Sequence, residues 1–126
     1  MIFGTGVDLV SVKRMEKVIS RWGDRFIERV FTQGEVKICS SRAFPPSAFS
    51  MRFAAKEAFS KAIGHGMRNG IRWRDIEVFH HPGGRPGLRL HGRSEELCAR
   101  ENISGFHVSM SDDGEYGVAM VILEKN

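Results

Sequence analysis

The stretch SAFSMRFAAKEAFSKAIG, residues 47–64, decides how this chain folds. Ser47 is a residue type that caps helix starts, Gly64 is the type that ends helices, and nothing between them breaks one. The spacing predicts a helix over 48–63. Met51, Ala55, Ala58 and Ala62 recur at i, i+4, i+7 and i+11 and form its buried stripe. Phe53, Glu57 and Lys61 form a second stripe at i, i+4 and i+8. Glu57 to Lys61 is the favoured orientation for an ion pair within a helix. The same two side chains also suit a carboxylate for Mg²⁺ beside a lysine for phosphate, because Mg²⁺ commonly takes one or two carboxylates plus phosphate oxygens.

Working outward, residues 2–10 read as a strand, with Ile2, Val7, Leu9 and Val10 apolar. Gly4 and Gly6 let another backbone or a phosphate come close, and Asp8 stands among apolar neighbours as a buried cap or half of a metal site. Ser11 caps a helix carrying Val12, Met15, Val18, Ile19 and Trp22. Gly23 interrupts it and Asp24 caps a continuation through Phe31. Thr32–Gln33–Gly34–Glu35 is a capping-box pattern that starts another helix. Pro45–Pro46 ends that region. Beyond Gly64, residues 73–80 read as a strand, 82–87 as a turn and Leu88–His91 as a second strand. Ser94 starts a short helix, and Phe106–Ser111 with Tyr116–Glu124 reads as a hairpin. The expected fold is α+β: an antiparallel sheet packed with helices, in a single domain over residues 1–126.

Lys and Arg number 19 against 15 Asp and Glu, giving a net charge of +4, and the mean hides a gradient. Residues 13–61 carry +6, residues 68–93 carry +4, and residues 94–126 carry −5. A basic first two-thirds points to a polyanionic ligand or an acidic partner, or to a solvated surface. Arg14, Arg21, Arg25 and Arg29, with Val18 among them, fall on one face if the helical phase survives Gly23, which suits an acidic protein helix. Nucleic acid fits less well, because the aromatic residues are not interleaved as stacking platforms. No apolar run reaches the length of a membrane span, and the first residues lack a signal-peptide pattern. Cys39 and Cys98 have no metal or pairing spacing, so reduced thiols in a cytoplasmic protein are expected.

The loop Gly64–His65–Gly66–Met67–Arg68–Asn69–Gly70 could cradle phosphate through backbone N–H groups, or Gly64 could simply stop the helix. It is not a P-loop, since glycine and lysine come in the wrong order. His107, Ser109 and Ser111 alternate along one strand face, with His107 a structural residue or a proton relay. His80, His81 and His91 read as surface residues, and nothing in their spacing suggests zinc.

Taken together, Gly4–Thr5–Gly6–Val7–Asp8–Leu9–Val10, the run Arg52–Ala62, Arg68–Asn69–Gly70–Ile71 and His107–Val108–Ser109 resemble the short bacterial-type 4′-phosphopantetheinyl transferases, the holo-[acyl-carrier-protein] synthase family. The resemblance runs from Met1 to about Glu124. It implies transfer of phosphopantetheine from coenzyme A to a serine of apo-acyl carrier protein for fatty acid biosynthesis, releasing adenosine 3′,5′-bisphosphate, with Mg²⁺. It matches Asp8 and Glu57 to the metal acids. Lys61 and Gly64–His65–Gly66 match the coenzyme A phosphate region, and Arg52 and His107 match positions lining the same site. Arg14, Arg21, Arg25 and Arg29 match the carrier-docking helix. Glu57 is the first choice of base for the carrier serine and His107 the second, with Lys61 at the phosphates. The resemblance also implies a homotrimer with inter-subunit active sites, and neither nucleic acid nor membrane as partner. Two positions depart from many relatives: His65 replaces threonine and Asp112 replaces histidine. The competing classes are a basic nucleic-acid-binding module, which leaves the two acids without purpose, and an inactive trimeric interaction protein, which should have lost them.

Overall fold

The computed structural model describes Met1–Asn126. Its centre is helix α4, Pro45–Ile63. The helix starts earlier than Ser47 because Pro45 and Pro46 occupy its first turn, where a proline loses only an N–H that would have no partner. Ser47 therefore lies inside the helix, and its Oγ donates to Asp112 Oδ2 at 2.5 Å. Gly64, in the left-handed conformation, ends the helix as expected.

Strand β1 (Ile2–Ser11) pairs antiparallel with the last strand, β5 (Tyr116–Lys125), and β5 pairs with β4 (Ile103–Asp112). Helix α1 (Val12–Trp22) is capped by Ser11, whose Oγ accepts from Arg14 N–H at 3.2 Å. Gly23 breaks the chain with positive φ, so α2 (Asp24–Val30) is a separate helix with Gly23, not Asp24, as its cap. Helix α3 (Gln33–Ser40) has the expected capping box between Thr32 and Glu35.

Two differences concern the middle of the chain. A 3-10 turn at Trp73–Asp75 precedes β2 (Ile76–His80), which forms a two-stranded ribbon with β3 (Pro86–Leu90) rather than joining one continuous sheet. The reason is chemical. The other edge of β2 is satisfied by side chains: Val78 N–H donates to Glu35 Oε2 at 2.8 Å, and Ile76 C=O accepts from Lys56 Nζ at 2.5 Å. Helix α5 (Gly92–Arg100) begins before Ser94, whose buried Oγ donates to the carbonyls of His91 and Asp75 instead of capping.

The main core joins α4 to the inner sheet face through Ala55, Ala58, Phe59, Ala62, Ala119, Val121 and Leu123, among others. A smaller core gathers Met15, Val30, Phe31, Cys39, Ala48 and Phe49 beneath α1–α3. Between the two lies a buried ion pair. Lys56 Nζ donates to Glu35 Oε1 at 2.8 Å and to the carbonyls of Trp73 and Ile76. All three ammonium protons have acceptors, which a buried charge requires.

Glycine sets the spacing between β1 and α4. A Cβ on Gly6 would lie 1.9 Å from the Ala58 carbonyl oxygen, and one on Gly4 would lie 2.1 Å from that of Ala62. With Ala58 and Ala62 on the facing helix, strand and helix meet backbone to backbone.

Candidate active site

Helix α4 is buried nearly all round, which its sequence periodicity did not show. The stripe left open along its middle and C-terminal half is Phe53, Glu57 and Lys61. The close approach at Gly6 brings Asp8 of β1 onto this stripe. Lys61 Nζ donates to Asp8 Oδ1 at 2.9 Å and to the Val7 carbonyl at 3.0 Å. The lysine thus bridges to the strand instead of pairing with Glu57 along the helix. Glu57 is held above the usual carboxylate range by partial burial first and then by the charge of Asp8, with Lys61 opposing. Asp8, Glu57 and Lys61 therefore form one electrostatic unit drawn from two elements.

This donor set fits Mg²⁺. Two carboxylates that repel one another attract a divalent ion, and the cation would share its remaining positions with phosphate oxygens and water. No cluster of three or more His, Cys, Asp or Glu side chains is present that would hold a metal by protein groups alone.

The loop after α4 is less of a cradle than its glycines suggest. Gly64 N–H donates to Lys61 C=O and Gly66 N–H to Ser60 C=O, so both close the helix end. His65 instead presents its side chain, with Nδ1 accepting from Asn69 Nδ2 at 2.5 Å. That bond leaves the proton of the neutral ring on Nε2.

Arg52 and His107 do not join this cluster within one chain. Arg52 is five residues before Glu57, hence about 140° around the helix from it. It is 2% exposed, its Nη1 donates to the Ala48 carbonyl, and its Nε is buried without a partner. It lines a cavity of about 470 Å³ together with Arg42, Ser47, His80, Pro86 and Asp112. His80, read from the sequence as a surface residue, has a buried Nδ1 without a partner. Burial, then Arg52 and Arg42, lowers its pKa. Arg42 and His80 carry no sequence signal, since only the fold brings them to Arg52. His107 shares a cross-strand row with Ile122 and Thr5, on the sheet face opposite Asp8. Its Nε2 pairs with Glu124 Oε1 at 2.6 Å.

That outer sheet face is open and carries exposed apolar side chains on β1 and β5: Val7 is 57% exposed, Leu9 61% and Met120 47%. The four arginines do not share one helical phase, because Gly23 separates α1 from α2. Three of them line two cavities that share Phe26 as a wall. Arg14 lines a cavity of about 280 Å³ with Asp8, Val18, Phe26 and Phe53. Arg25 and Arg29 line a second of about 340 Å³ with Phe26 and Trp22, and Arg21 stacks on the Trp22 ring.

The family model of the 4′-phosphopantetheinyl transferase superfamily matches residues 4–121. The holo-[acyl-carrier-protein] synthase of Geobacter metallireducens is 46% identical over 125 residues, covering 99% of each chain. That of Koribacter versatilis is 47% identical over 124 residues, covering 98% of this chain and 99% of the relative. Among solved structures, the Neisseria meningitidis holo-[acyl-carrier-protein] synthase superposes with a TM-score of 0.90 at 35% identity, over 99% of this chain and all of the other. The Helicobacter pylori enzyme, solved in complex with coenzyme A, superposes with a TM-score of 0.84 at 31% identity, over 95% and 99%.

Proposed function

The chain belongs to the 4′-phosphopantetheinyl transferase superfamily, and from that premise we infer that it is a holo-[acyl-carrier-protein] synthase, moving phosphopantetheine from coenzyme A to a serine of apo-acyl carrier protein. The observation that carries the reading is the Asp8–Glu57–Lys61 cluster on the open stripe of α4.

In the reaction, the carrier serine Oγ forms a bond to the phosphorus that bears pantetheine. The bond from that phosphorus to the bridging oxygen breaks, and adenosine 3′,5′-bisphosphate departs. Asp8 and Glu57 would hold Mg²⁺, which supplies neutralisation of the pyrophosphate charge. Lys61 adds positive charge on the phosphate side. The serine proton needs an acceptor, and Glu57, on the open stripe of α4 onto which Asp8 is brought, is the first choice of base. His65 lies in the loop that Lys61 leads into, where Nε2 can donate to a phosphate oxygen. Gly64 and Gly66 place that loop.

Arg52 and His107 enter the proposal as residues from a neighbouring subunit. The cavity around Arg52, with two arginines and the unpaired Arg52 Nε, suits the nucleotide phosphates of coenzyme A. It faces away from Glu57 in its own chain, so one complete site requires a second copy. The apolar outer sheet face offers the surface on which copies would assemble as a homotrimer. Cytoplasmic placement accords with two free buried cysteines, and no helix is long and apolar enough to cross a membrane.

The test is incubation with Mg²⁺, coenzyme A and a bacterial apo-acyl carrier protein, followed by mass spectrometry of the carrier. A phosphopantetheine adduct is expected, and its absence with every carrier tried would defeat the reading. Asp8→Ala and Glu57→Ala should each remove most Mg²⁺-dependent turnover while the protein stays folded. Near-normal rates would remove the metal assignment.

A further inference from the structure

Glu124, near the end of β5, stands directly opposite Gly105 of β4. The backbone at Gly105 has no positive φ, so an ordinary residue could adopt it, and what the glycine provides is space. A Cβ there would lie 2.8 Å from Glu124 Cβ and 3.0 Å from Glu124 Oε1. The Glu124 side chain therefore lies across the bare strand, where a side chain at position 105 would stand. From there it reaches its diagonal neighbour, and Oε1 accepts from His107 Nε2 at 2.6 Å. Only long side chains meet across such a diagonal. The other neighbours of His107 on this face are Gly105 and Ser109 on β4 and Met120 and Ile122 on β5, so Glu124 is the one charged group beside it. Both side chains stay open, 58% exposed for His107 and 48% for Glu124. An ion pair so exposed adds little to folding.

We propose that Glu124 is a positioning residue for coenzyme A: it holds His107 so that Nδ1 meets a phosphate of the ligand, and Gly105 gives it the room. This rests on the transferase reading above and on His107 entering a neighbouring subunit's site. It adds a strand-end carboxylate and its facing glycine, which no motif singles out. The chemistry follows from counting donors. A carboxylate only accepts, so the nitrogen facing Glu124 carries a proton, and Nδ1 is the one left for a group outside the chain. A phosphate oxygen is also an acceptor. A ring between the two donates from both nitrogens only as the imidazolium. Glu124 supplies the counter-charge on one side and the ligand supplies it on the other. The same bond fixes the ring before the ligand arrives, whereas a free surface histidine must be ordered at the expense of affinity. The rival reading is a tie between β4 and β5 with no part in binding, and the test separates the two.

Coenzyme A affinity is measured by calorimetry with Mg²⁺ present, a readout that needs no transfer. The proteins are wild type, Glu124→Ala, Glu124→Gln, Gly105→Ala, His107→Ala and the double variant of Glu124 and His107 to alanine. Glu124→Ala should weaken coenzyme A about fivefold, the size of one ion pair. Glu124→Gln still accepts from Nε2 without the charge and should recover part of the loss. Gly105→Ala should reproduce the loss by displacing the carboxylate. In His107→Ala, removing Glu124 should change nothing further, because the two act as one unit. Nitrogen NMR of the wild-type complex should show both ring nitrogens of His107 protonated. The urea midpoint and oligomeric mass of Glu124→Ala should match wild type. Affinity of Glu124→Ala within about twofold of wild type overturns the proposal. So does an equal loss with and without His107, or a loss that appears only where the copies dissociate. Carrier modification is assayed alongside. Wild-type protein that binds coenzyme A in a Glu124-dependent way but modifies no carrier would overturn the transferase reading and leave the positioning role standing.

Discussion

Gly6→Ala tests the contact that builds the site. The added Cβ would stand 1.9 Å from the Ala58 carbonyl oxygen, 2.9 Å from Ala58 C and 3.0 Å from Ala62 N, all backbone atoms. Ordinary contact begins at 3.4 Å, so strand and helix must separate by about 1.5 Å along that direction. No rotamer change relieves it. Overpacking of this kind costs about 1–3 kcal/mol and occasionally more, and rigid backbone on both sides puts Gly6 at the upper end. At about 2.1 cal/mol/K per residue, 3 kcal/mol over 126 residues lowers Tm by about 11 °C. The displacement also acts on catalysis, because Asp8 lies two residues along the same strand and bonds Lys61 at 2.9 Å. A misplacement of about 1 Å can cost about 10²-fold in rate, and a loss of that order in kcat is expected. The assays are urea and thermal unfolding by circular dichroism, and carrier modification by mass spectrometry under saturating coenzyme A. Gly83→Ala is the control, since its Cβ meets nothing within 4 Å and its φ is not positive. It should be neutral or stabilise by about 0.4–1 kcal/mol. Gly6→Ala within 1 kcal/mol of wild type and within threefold in kcat would refute the claim that this approach fixes the site.

Further outcomes are expected elsewhere. Lys56→Met leaves Glu35 charged and buried without its counter-ion and should cost about 3–5 kcal/mol in urea unfolding; adding Glu35→Gln should recover part of it. At Glu77, burial raises the pKa, but hydrogen bonds from His91 and Thr32 and the charges of His91 and Arg89 outweigh it, and the net shift is downward. A depressed carboxylate gives stability that is present above its unfolded pKa and lost as pH falls through the folded one. Glu77→Gln should therefore flatten the acid limb of stability against pH, and an unchanged limb would remove this residue from the account. Mixing Asp8→Ala with Arg52→Ala subunits should restore part of the activity that each lacks, if sites are shared. No recovery after verified subunit exchange would place all the chemistry within one chain.

Much of this was legible in the sequence, and the limits have physical causes. The Phe53–Glu57–Lys61 stripe, the capping box, the Ser11 cap and the strand glycines all rest on local rules, and each has its place in the structure. Lys56 was invisible because periodicity assumes a helix with one buried side, whereas α4 is enclosed on nearly all of them. The start of α4 differs from the sequence expectation because two prolines look like a stop and are equally at home in a first turn. The cavity of Arg42, Arg52 and His80 joins residues 38 positions apart, and no spacing rule reaches that far. Arg52 and Lys61 belong to one motif, yet the helix turns them to opposite sides, so one chain by itself does not bring them together.

The pairing of the first strand with the last has a consequence for synthesis. As the chain leaves the ribosome, α4 can form early, but β1 has no strand partner until residues 116–125 follow. Until then Asp8 has no fixed position, and an apolar strand carrying Val7 and Leu9 waits with both edges open. Such long-range closure slows folding and invites pairing with other nascent chains. The topology thus leaves β1 unpaired until late in translation, and slow codons before residue 116 should lower soluble yield more than slow codons after it.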